Sequence, residues 1–146
     1  MILVRHGQSE FNVVYGETRQ DPGIVDPALT ELGHRQAAAT AKTLADSGAH
    51  TLIASPYRRA IQTALIVGDA LNLDITVDPL IGERAAFTCD IGTPGKTLAA
   101  TWPEIDFAHI TENWWPDLEE SEESLDSRGR TFRDRMRDND AWEGVV

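Results

Sequence analysis

The sequence predicts an α/β fold in which a mainly parallel sheet is flanked by helices on both faces. The first observation is a set of three short apolar stretches at residues 2–4, 51–54 and 75–77, a pattern typical of strands buried on both faces. The second is that the chain between them is long enough for the crossover helices that parallel strands require. No repeat or linker interrupts the chain, so we expect one domain over residues 1–146.

The first half of the chain carries signals for where its elements start and end. After the strand at residues 2–4, residues 16–27 are rich in glycine and proline and are predicted to be irregular. Thr30 is a suitable N-cap for a helix that extends to Ser47, because Gly48 ends it. The predicted buried face of this helix consists of Ala37, Ala41, Leu44 and Ala45.

A second helix follows the strand at residues 51–54. Ser55 is its predicted cap, and Pro56 suits the first helical position because its missing N–H would be unpaired there anyway. The third strand at residues 75–77 comes directly after this helix. The predicted apolar face of the helix consists of Tyr57, Ile61, Ala64, Leu65 and Leu71.

The second half is less regular. Residues 84–120 contain several glycines and prolines and three of the four tryptophans, so we expect an inserted region with a short helix near residues 96–101. The tryptophans of this region (Trp102, Trp114 and Trp115) either line a substrate pocket or fill a small core. Apolar residues at helical spacing then predict a helix over residues 125–137, and the two final valines resemble the beginning of another strand.

The composition excludes several classes of protein. The chain has 13 basic and 24 acidic residues, a formal net charge of −11, which argues against nucleic acid or an anionic membrane as a partner. No apolar run approaches the roughly 18 residues of a membrane span. The single cysteine, Cys89, excludes an internal disulfide framework. We therefore expect a soluble, cytoplasmic protein.

Side chains suited to phosphate chemistry follow the three predicted strands. Arg5 and His6 come after the first strand, Arg58 and Arg59 after the second, and Glu83 after the third. Ligands bind at the carboxyl ends of parallel strands, so these side chains are expected at one edge of the sheet. Guanidinium groups bind phosphate oxygens, a neutral imidazole is a nucleophile, and a carboxyl with a raised pKa can protonate a leaving oxygen. The pattern favours phosphoryl transfer.

Four segments resemble the histidine phosphatase superfamily, in that family's order. Residues 5–12 (RHGQSEFN) resemble its RHGxSxxN signature, and residues 27–33 (PALTELG) resemble its PLTxxG element. Residues 55–63 (SPYRRAIQT) are similar to its second block, and residues 80–84 (LIGER) to its glutamate segment. The resemblance implies a phosphoglycerate mutase-like fold, mainly parallel, whose last strand or strands are missing from this sequence.

The resemblance also implies roles for five residues. His6 would be the catalytic nucleophile that forms a phosphohistidine, and Glu83 would be the catalytic proton donor. Arg5 and Arg59 would bind the phosphate, with Asn12 assisting. Neither a cofactor nor a metal ion is implied.

One departure from the family pattern concerns a second histidine of the phosphate pocket. The family has a second phosphate-pocket histidine in a Ser/Thr-His-Gly-like segment after a later strand, and these 146 residues contain no such segment. His34, His50 and His109 match none of the family's catalytic positions. Since the later strand lies inside the sheet of this fold, we expect that the sequence belongs to a longer protein and that the absent strand disturbs the fold.

The function indicated by these residues is a phosphatase that hydrolyses small phosphate monoesters. Two alternatives stay open: a mutase that returns the phosphoryl group to a second hydroxyl of the substrate, and a non-catalytic module that binds phosphate. A metal-dependent hydrolase is disfavoured because no histidine pair has ligand spacing and Arg5 beside His6 repels a cation. The expected partner is a small phosphorylated substrate, and the tryptophans allow a homodimer. The six carboxylates of residues 117–126 are predicted to form a solvated face.

Overall fold

The computed structural model describes residues 1–138 and 143–146. Within them, no helix combines the length and the apolar character that crossing a bilayer demands. Two single turns of 3-10 helix, Pro79–Ile81 and Thr88–Asp90, supplement the regular elements. Those elements are the helices α1 (Glu10–Thr18), α2 (Glu31–Leu44), α3 (Arg58–Leu71), α4 (Gly95–Thr101) and α5 (Glu122–Asp138), and the strands β1 (Leu52–Ala54) and β2 (Ile75–Val77).

The strands β1 and β2 are parallel, with Ile53 opposite Thr76, and α3 is the crossover between them. Helices cover both faces of β1. Leu52 and Ala54 pack in one apolar cluster with α2 and α3, whereas Ile53 packs on the opposite face against Phe132 of α5. The predicted parallel sheet with two helical layers is therefore confirmed for this part of the chain.

The prediction of a buried strand at residues 2–4 is wrong. The segment contacts the sheet, since the Ile2 N–H donates to the Val145 carbonyl over 2.8 Å, but Leu3 is 84% exposed. A strand buried on both faces needs covering layers and paired neighbours. Here the segment and β1 line one cavity of about 490 Å³, and Val4 is the partly buried residue of the segment that packs against the cluster of Leu52 and Ala54. The apolar residues of a buried strand are present, but nothing in the described structure covers Leu3.

The final valines lie where the resemblance predicts an interior strand. Val145 pairs in parallel with Thr51, and the Val146 N–H donates to the Thr51 carbonyl over 2.9 Å. On the other side of Val145 lies Ile2. The prediction that these valines begin a strand is consistent with this pairing.

Helix α3 begins later than predicted. Ser55 is not its cap, because the first helical residue is Arg58 and the N-terminus is capped from a distant loop. Asp26 is buried, and its Oδ1 accepts a hydrogen bond from the Arg58 N–H at 2.9 Å. Its Oδ2 accepts bonds from the N–H and the hydroxyl of Thr93. A carboxylate that approaches from elsewhere in the chain leaves no local signal next to the helix.

Helix α2 follows its prediction except at its end. Thr30 caps it through a hydrogen bond from the Gly33 N–H to the Thr30 hydroxyl, 3.1 Å long, and Ala37, Ala41 and Leu44 are buried as expected. The helix ends at Leu44 rather than Ser47. Ala45 is therefore exposed rather than part of the buried face.

Helix α1 was not predicted, and the sequence does contain its signal. Ser9 and Asn12 form a capping box, in which the Ser9 hydroxyl accepts from the Asn12 N–H and Asn12 Oδ1 accepts from the Ser9 N–H at 3.0 Å. Gly16 lies within this helix, although it was predicted to be in an irregular region. Irregular structure begins only after Thr18.

The region of residues 84–120 contains the short helix that was expected, α4. Trp102 and Trp114 pack against a core cluster that includes Ile61 and Leu98, and the Trp114 indole N–H donates to the Thr93 carbonyl at 2.8 Å. These two tryptophans therefore fill a core under the insertion, which is one of the two alternatives that the sequence left open.

Two glycines bring the segment after His6 against the start of α2. A Cβ atom at Gly7 would overlap the Gly33 carbonyl, and a Cβ at Gly33 would overlap the Gln8 carbonyl. The Thr30 N–H donates to that Gln8 carbonyl over 2.9 Å. The backbone near His6 is thus fixed by a contact that only two facing glycines permit.

Candidate active site

The cavity of about 490 Å³ has a polar end at which side chains from three parts of the chain meet. His6 follows the N-terminal segment, Arg59 lies in the first turn of α3, and Glu83 follows the 3-10 turn Pro79–Ile81. Glu83 Oε2 lies 3.9 Å from His6 Nε2 and 3.5 Å from Arg59 Nη2. The structure therefore brings together an imidazole, a guanidinium and a carboxyl, the three kinds of group that the sequence analysis singled out.

The His6 ring is held by its own backbone. Its Nδ1 lies 2.6 Å from the Gly7 carbonyl oxygen, so the hydrogen bond requires a proton on Nδ1. The neutral ring then has a lone pair on Nε2, whereas the protonated ring donates from Nε2 toward Glu83. The Gly7 N–H in turn donates to the hydroxyl of Thr63, which donates to the Arg59 carbonyl. The hydrogen-bonded chain from His6 to α3 fixes the ring beside the guanidinium.

Arg59 is a buried cation whose side chain is 3% exposed. Its Nη1 donates to the Cys89 carbonyl at 2.8 Å and its Nη2 to Asp90 Oδ1 at 3.0 Å. The guanidinium carbon lies 4.4 Å from the centre of the Tyr57 ring. A buried charge is tolerated only when it is paired and hydrogen-bonded, and Asp90 supplies that partner. The second Asp90 oxygen accepts hydrogen bonds from the N–H groups of Ala86 and Phe87.

The pKa of the Glu83 carboxyl is held below its ordinary value, chiefly by His6 and then by the positive charges of Arg59 and Arg5, while burial acts in the opposite direction. This lowered pKa differs from the raised pKa that was expected of a proton donor. It arises because the groups around Glu83 in the ligand-free site favour its ionised form. An anion that binds beside Glu83 would reverse the balance, since a nearby negative charge raises the pKa of a carboxyl.

The two remaining predicted site residues lie at different distances from this centre. Arg5 is exposed, lines the same cavity as His6 and acts on Glu83 through its charge. Asn12 is not among the residues that line the cavity. Its side-chain oxygen is committed to the capping box of α1, so the structure places Asn12 in the support of the His6 loop rather than in the cavity wall.

The other histidines lie away from the cavity. His34 is exposed on α2 with its Nδ1 2.9 Å from the Thr30 carbonyl, and His109 Nε2 lies 2.8 Å from the Val77 carbonyl. His50 is exposed and contacts the Thr51 hydroxyl. In the described residues, no group of three or more His, Cys, Asp or Glu side chains is arranged to hold a metal ion.

The acidic run contains one residue that contradicts its prediction. Glu120, expected on a solvated face, has a side chain that is only 1% exposed, and its Oε1 accepts from Arg128 Nε at 2.8 Å. Hydrogen bonds from Arg128 lower the pKa of Glu120 to about 2. Arg128 lies on α5 and reaches Glu120 only when that helix forms. The other carboxylates of the run are exposed as predicted: Asp117, Glu119, Glu122, Glu123 and Asp126.

Three charged residues that support the site were not predicted from the sequence. Asp90 lies in the predicted insertion and Glu120 in the predicted solvated face, whereas Arg128 lies on the predicted helix of residues 125–137. Since a run of carboxylates contains no mark of which one meets an arginine, the pattern offered no signal for Glu120. The amphipathic spacing of the last helix was visible, but Arg128 lies on it among several other arginines.

Comparison with known proteins identifies the family. Residues 1–146 match the histidine phosphatase superfamily (branch 1). A glucosyl-3-phosphoglycerate phosphatase of Mycolicibacterium vanbaalenii is 35% identical over 107 residues, which are 68% of this chain and 46% of that protein. A probable phosphoglycerate mutase of Proteus mirabilis is 38% identical over 81 residues, 56% of this chain and 36% of that protein. The chain thus spans less than half the length of these relatives.

Solved structures agree with the fold. The structure of a mycobacterial glucosyl-3-phosphoglycerate phosphatase in complex with VO3 has a TM-score of 0.63 and 25% identity, over 97% of this chain and 66% of that one. An ecdysone phosphate phosphatase from Bombix mori has a TM-score of 0.67 at 19% identity, over 97% and 68% of the two chains, which is a likeness of fold. The predicted α/β, phosphoglycerate mutase-like fold is confirmed.

Proposed function

The chain belongs to the histidine phosphatase superfamily, and from that premise we propose that it hydrolyses small phosphate monoesters through a phosphohistidine formed on His6. The observation that carries the proposal is the meeting of His6 Nε2 and Arg59 Nη2 at the Glu83 carboxylate, 3.9 and 3.5 Å from Glu83 Oε2. A nucleophile, a cation for the phosphate oxygens and a proton carrier are the parts that phosphoryl transfer to histidine requires.

In the first half of the proposed reaction, the phosphate of the ester binds between Arg5 and Arg59. The free lone pair of His6 Nε2 attacks phosphorus, a P–N bond forms and the bond from phosphorus to the ester oxygen breaks. Arg59 stabilises the charge on the transferred group, and it does so strongly because its guanidinium is buried and fixed before the substrate arrives.

Glu83 would give its proton to the departing oxygen. In the ligand-free site its pKa is lowered, chiefly by His6, so it is ionised at neutral pH. The negative charge of a bound phosphate ester raises that pKa and permits protonation. In the second half, the Glu83 carboxylate takes a proton from water, the hydroxide attacks phosphorus, the P–N bond breaks and inorganic phosphate leaves.

Two alternatives predict different products. A mutase would return the phosphoryl group from His6 to a second hydroxyl of the substrate, and the similarity to a probable phosphoglycerate mutase supports this reading. A non-catalytic module would bind phosphate but form no covalent intermediate. The phosphatase is favoured because relatives that include glucosyl-3-phosphoglycerate phosphatases match a larger share of the chain.

The test uses the wild type, His6→Ala and, as a matched control, His34→Ala, whose ring is exposed on α2. We expect the wild type to release phosphate from p-nitrophenyl phosphate and to carry an acid-labile phosphoryl label after a rapid quench. His6→Ala should lose the label and at least roughly 1,000-fold in kcat/KM, while His34→Ala retains both.

The outcomes separate the three functions. The mutase is supported if the protein carries the phosphoryl label but releases no phosphate, and if 31P NMR shows that it isomerises a diol phosphate. Binding of phosphate with no label in the wild type supports the binding module. A label that survives in His6→Ala contradicts the proposal.

We also propose a cytoplasmic location and a small phosphorylated substrate. The net charge of −11 supports a compact substrate, since it repels polyanions everywhere except near the arginines of the cavity. The expected homodimer stays a prediction, and its support is weaker because Trp102 and Trp114 pack in a core.

A further inference from the structure

Arg128 of α5 uses every hydrogen-bond donor that it has. Its Nε and Nη2 bind the two Glu120 oxygens at 2.8 and 2.9 Å, a bidentate pair. The three remaining N–H groups donate to backbone carbonyls: Nη1 to Leu80 at 2.9 Å and to Gly82 at 2.6 Å, and Nη2 to Glu83 at 3.0 Å. Five donors thus make five bonds, and three of them hold consecutive parts of the segment that ends at Glu83.

Glu120 holds the same segment from its other end. Its N–H donates to the Ala85 carbonyl at 2.9 Å, and its Oε2 accepts from the Ala85 N–H at 3.3 Å. Its own carbonyl accepts from Arg84 Nε at 3.0 Å. Residues 80–85 are therefore fixed by one buried ion pair, although beyond the turn Pro79–Ile81 they form neither helix nor strand.

The Glu83 side chain depends on this support. It is 56% exposed, and its partners in the site lie at 3.5 and 3.9 Å, beyond ordinary hydrogen-bond length. Such contacts are too weak to hold a mobile glutamate, so the position of the carboxyl follows from the position of its backbone. We propose, on the basis of the proposed function, that Arg128 together with Glu120 is a positioning residue that places the Glu83 carboxyl beside His6.

The proposal predicts a loss that depends on the leaving group. An alkoxide is strongly basic and leaves only when it is protonated, whereas p-nitrophenolate is a weak base and leaves without a proton. A displaced Glu83 therefore slows an alkyl phosphate much more than p-nitrophenyl phosphate. General loss of structure would slow the two esters by the same factor.

The experiment compares kcat/KM for phenethyl phosphate and p-nitrophenyl phosphate in Arg128→Lys, Glu120→Gln and Glu83→Gln. Arg128→Lys keeps the positive charge but cannot span a carboxylate and three carbonyls. We expect it to lose about 10-fold or more on the alkyl ester and less than about 3-fold on the aryl ester. Glu120→Gln should also lose more activity on the alkyl ester than on the aryl ester. This second variant keeps the test valid if Arg128→Lys fails to fold.

Arg130→Lys is the matched control, since Arg130 is on the same helix, 64% exposed and paired only with Asp126 among the ion pairs described. It should leave both esters unchanged. The double variant Glu83→Gln/Arg128→Lys should show no larger preference than Glu83→Gln alone, because Arg128 acts through Glu83. An equal loss on both esters in Arg128→Lys, or full additivity in the double variant, would overturn the proposal.

A second readout does not depend on turnover. NMR titration of the Glu83 carboxyl should give a lowered pKa in the wild type and in Arg130→Lys, and a pKa that returns toward the ordinary value in Arg128→Lys. Since the charge is conserved, only a displaced carboxyl explains the change. An unchanged titration overturns the positioning role. If the wild type hydrolyses neither ester, the proposed function fails and this titration still decides the inference.

Discussion

The two segments that carry the proposed catalytic groups are held in opposite ways. The N-terminal segment, residues 1–5, leads into His6, and the acid segment, residues 79–90, contains Glu83 and Asp90. The N-terminal segment is apolar yet largely exposed, with Leu3 84% accessible. The acid segment contains neither an α-helix nor a strand yet is fixed, because Arg128, Glu120 and Arg59 bind its backbone and Asp90.

The difference shows what each kind of interaction needs. Apolar side chains stabilise a segment only when other elements cover them, and the cavity beside residues 1–5 leaves that requirement unmet. Buried ion pairs with saturated hydrogen bonds hold an irregular segment without any help from secondary structure. We therefore expect substitutions in the acid segment and its partners to cost far more stability than those at residues 1–5.

The largest expected effect is at Asp90. Asp90→Asn removes the charge that pairs with buried Arg59 and turns an amide N–H toward the N–H groups of Ala86 and Phe87. We expect the free energy of unfolding, measured by urea denaturation, to fall by about 3 kcal/mol or more. The control is Glu31→Gln, which breaks the exposed Glu31–Arg35 pair and should cost less than about 0.5 kcal/mol. Equal costs would remove the distinction between the two kinds of pair.

A second effect depends on pH. The folded pKa of Glu120 is about 2, below its ordinary value of 4.5, so its contribution to stability is complete above pH 4.5 and is lost as the pH falls toward 2. The shift corresponds to roughly 3 kcal/mol. The stability difference between wild type and Glu120→Gln should therefore shrink over that range, whereas Glu122→Gln removes one exposed charge as a control. A difference that does not change with pH contradicts the buried pair.

The smallest effect is expected in the N-terminal segment. Leu3→Ser should change the free energy of unfolding by less than about 0.5 kcal/mol, because the side chain is already in water. Leu98→Ala, at a fully buried leucine, is the contrasting variant and should cost about 2–5 kcal/mol. A cost above about 1 kcal/mol for Leu3→Ser would mean that the N-terminal segment is covered in solution.

Local patterns predicted the elements that depend on neighbours in sequence. The caps and periodicity of α2 and the apolar run of β1 were sufficient because those residues are covered by adjacent elements. The run at residues 2–4 is also apolar throughout but lacks that cover. Asp26 capping α3 was not predictable, since no pattern beside Arg58 shows which distant carboxylate will reach it.

The proposed site was predictable where chemistry and motif coincide. His6, Arg59 and Glu83 were found because phosphate chemistry requires those side chains, and the structure brings them together. The lowered pKa of Glu83 was not predictable, because its sign depends on which charges surround the carboxyl. Asp90 and Arg128 were missed because a supporting residue is defined by its contacts and not by its type.

For protein engineering, the facing glycines constrain the design of libraries. A Cβ at Gly7 would overlap the Gly33 backbone, and a Cβ at Gly33 would overlap the Gln8 backbone. We therefore expect that randomising either position yields almost only misfolded clones, and that a change at one is not rescued by a change at the other. Gly16 and Gly129 have open space and lie inside helices, so alanine at these two positions is the natural start for a thermostable variant.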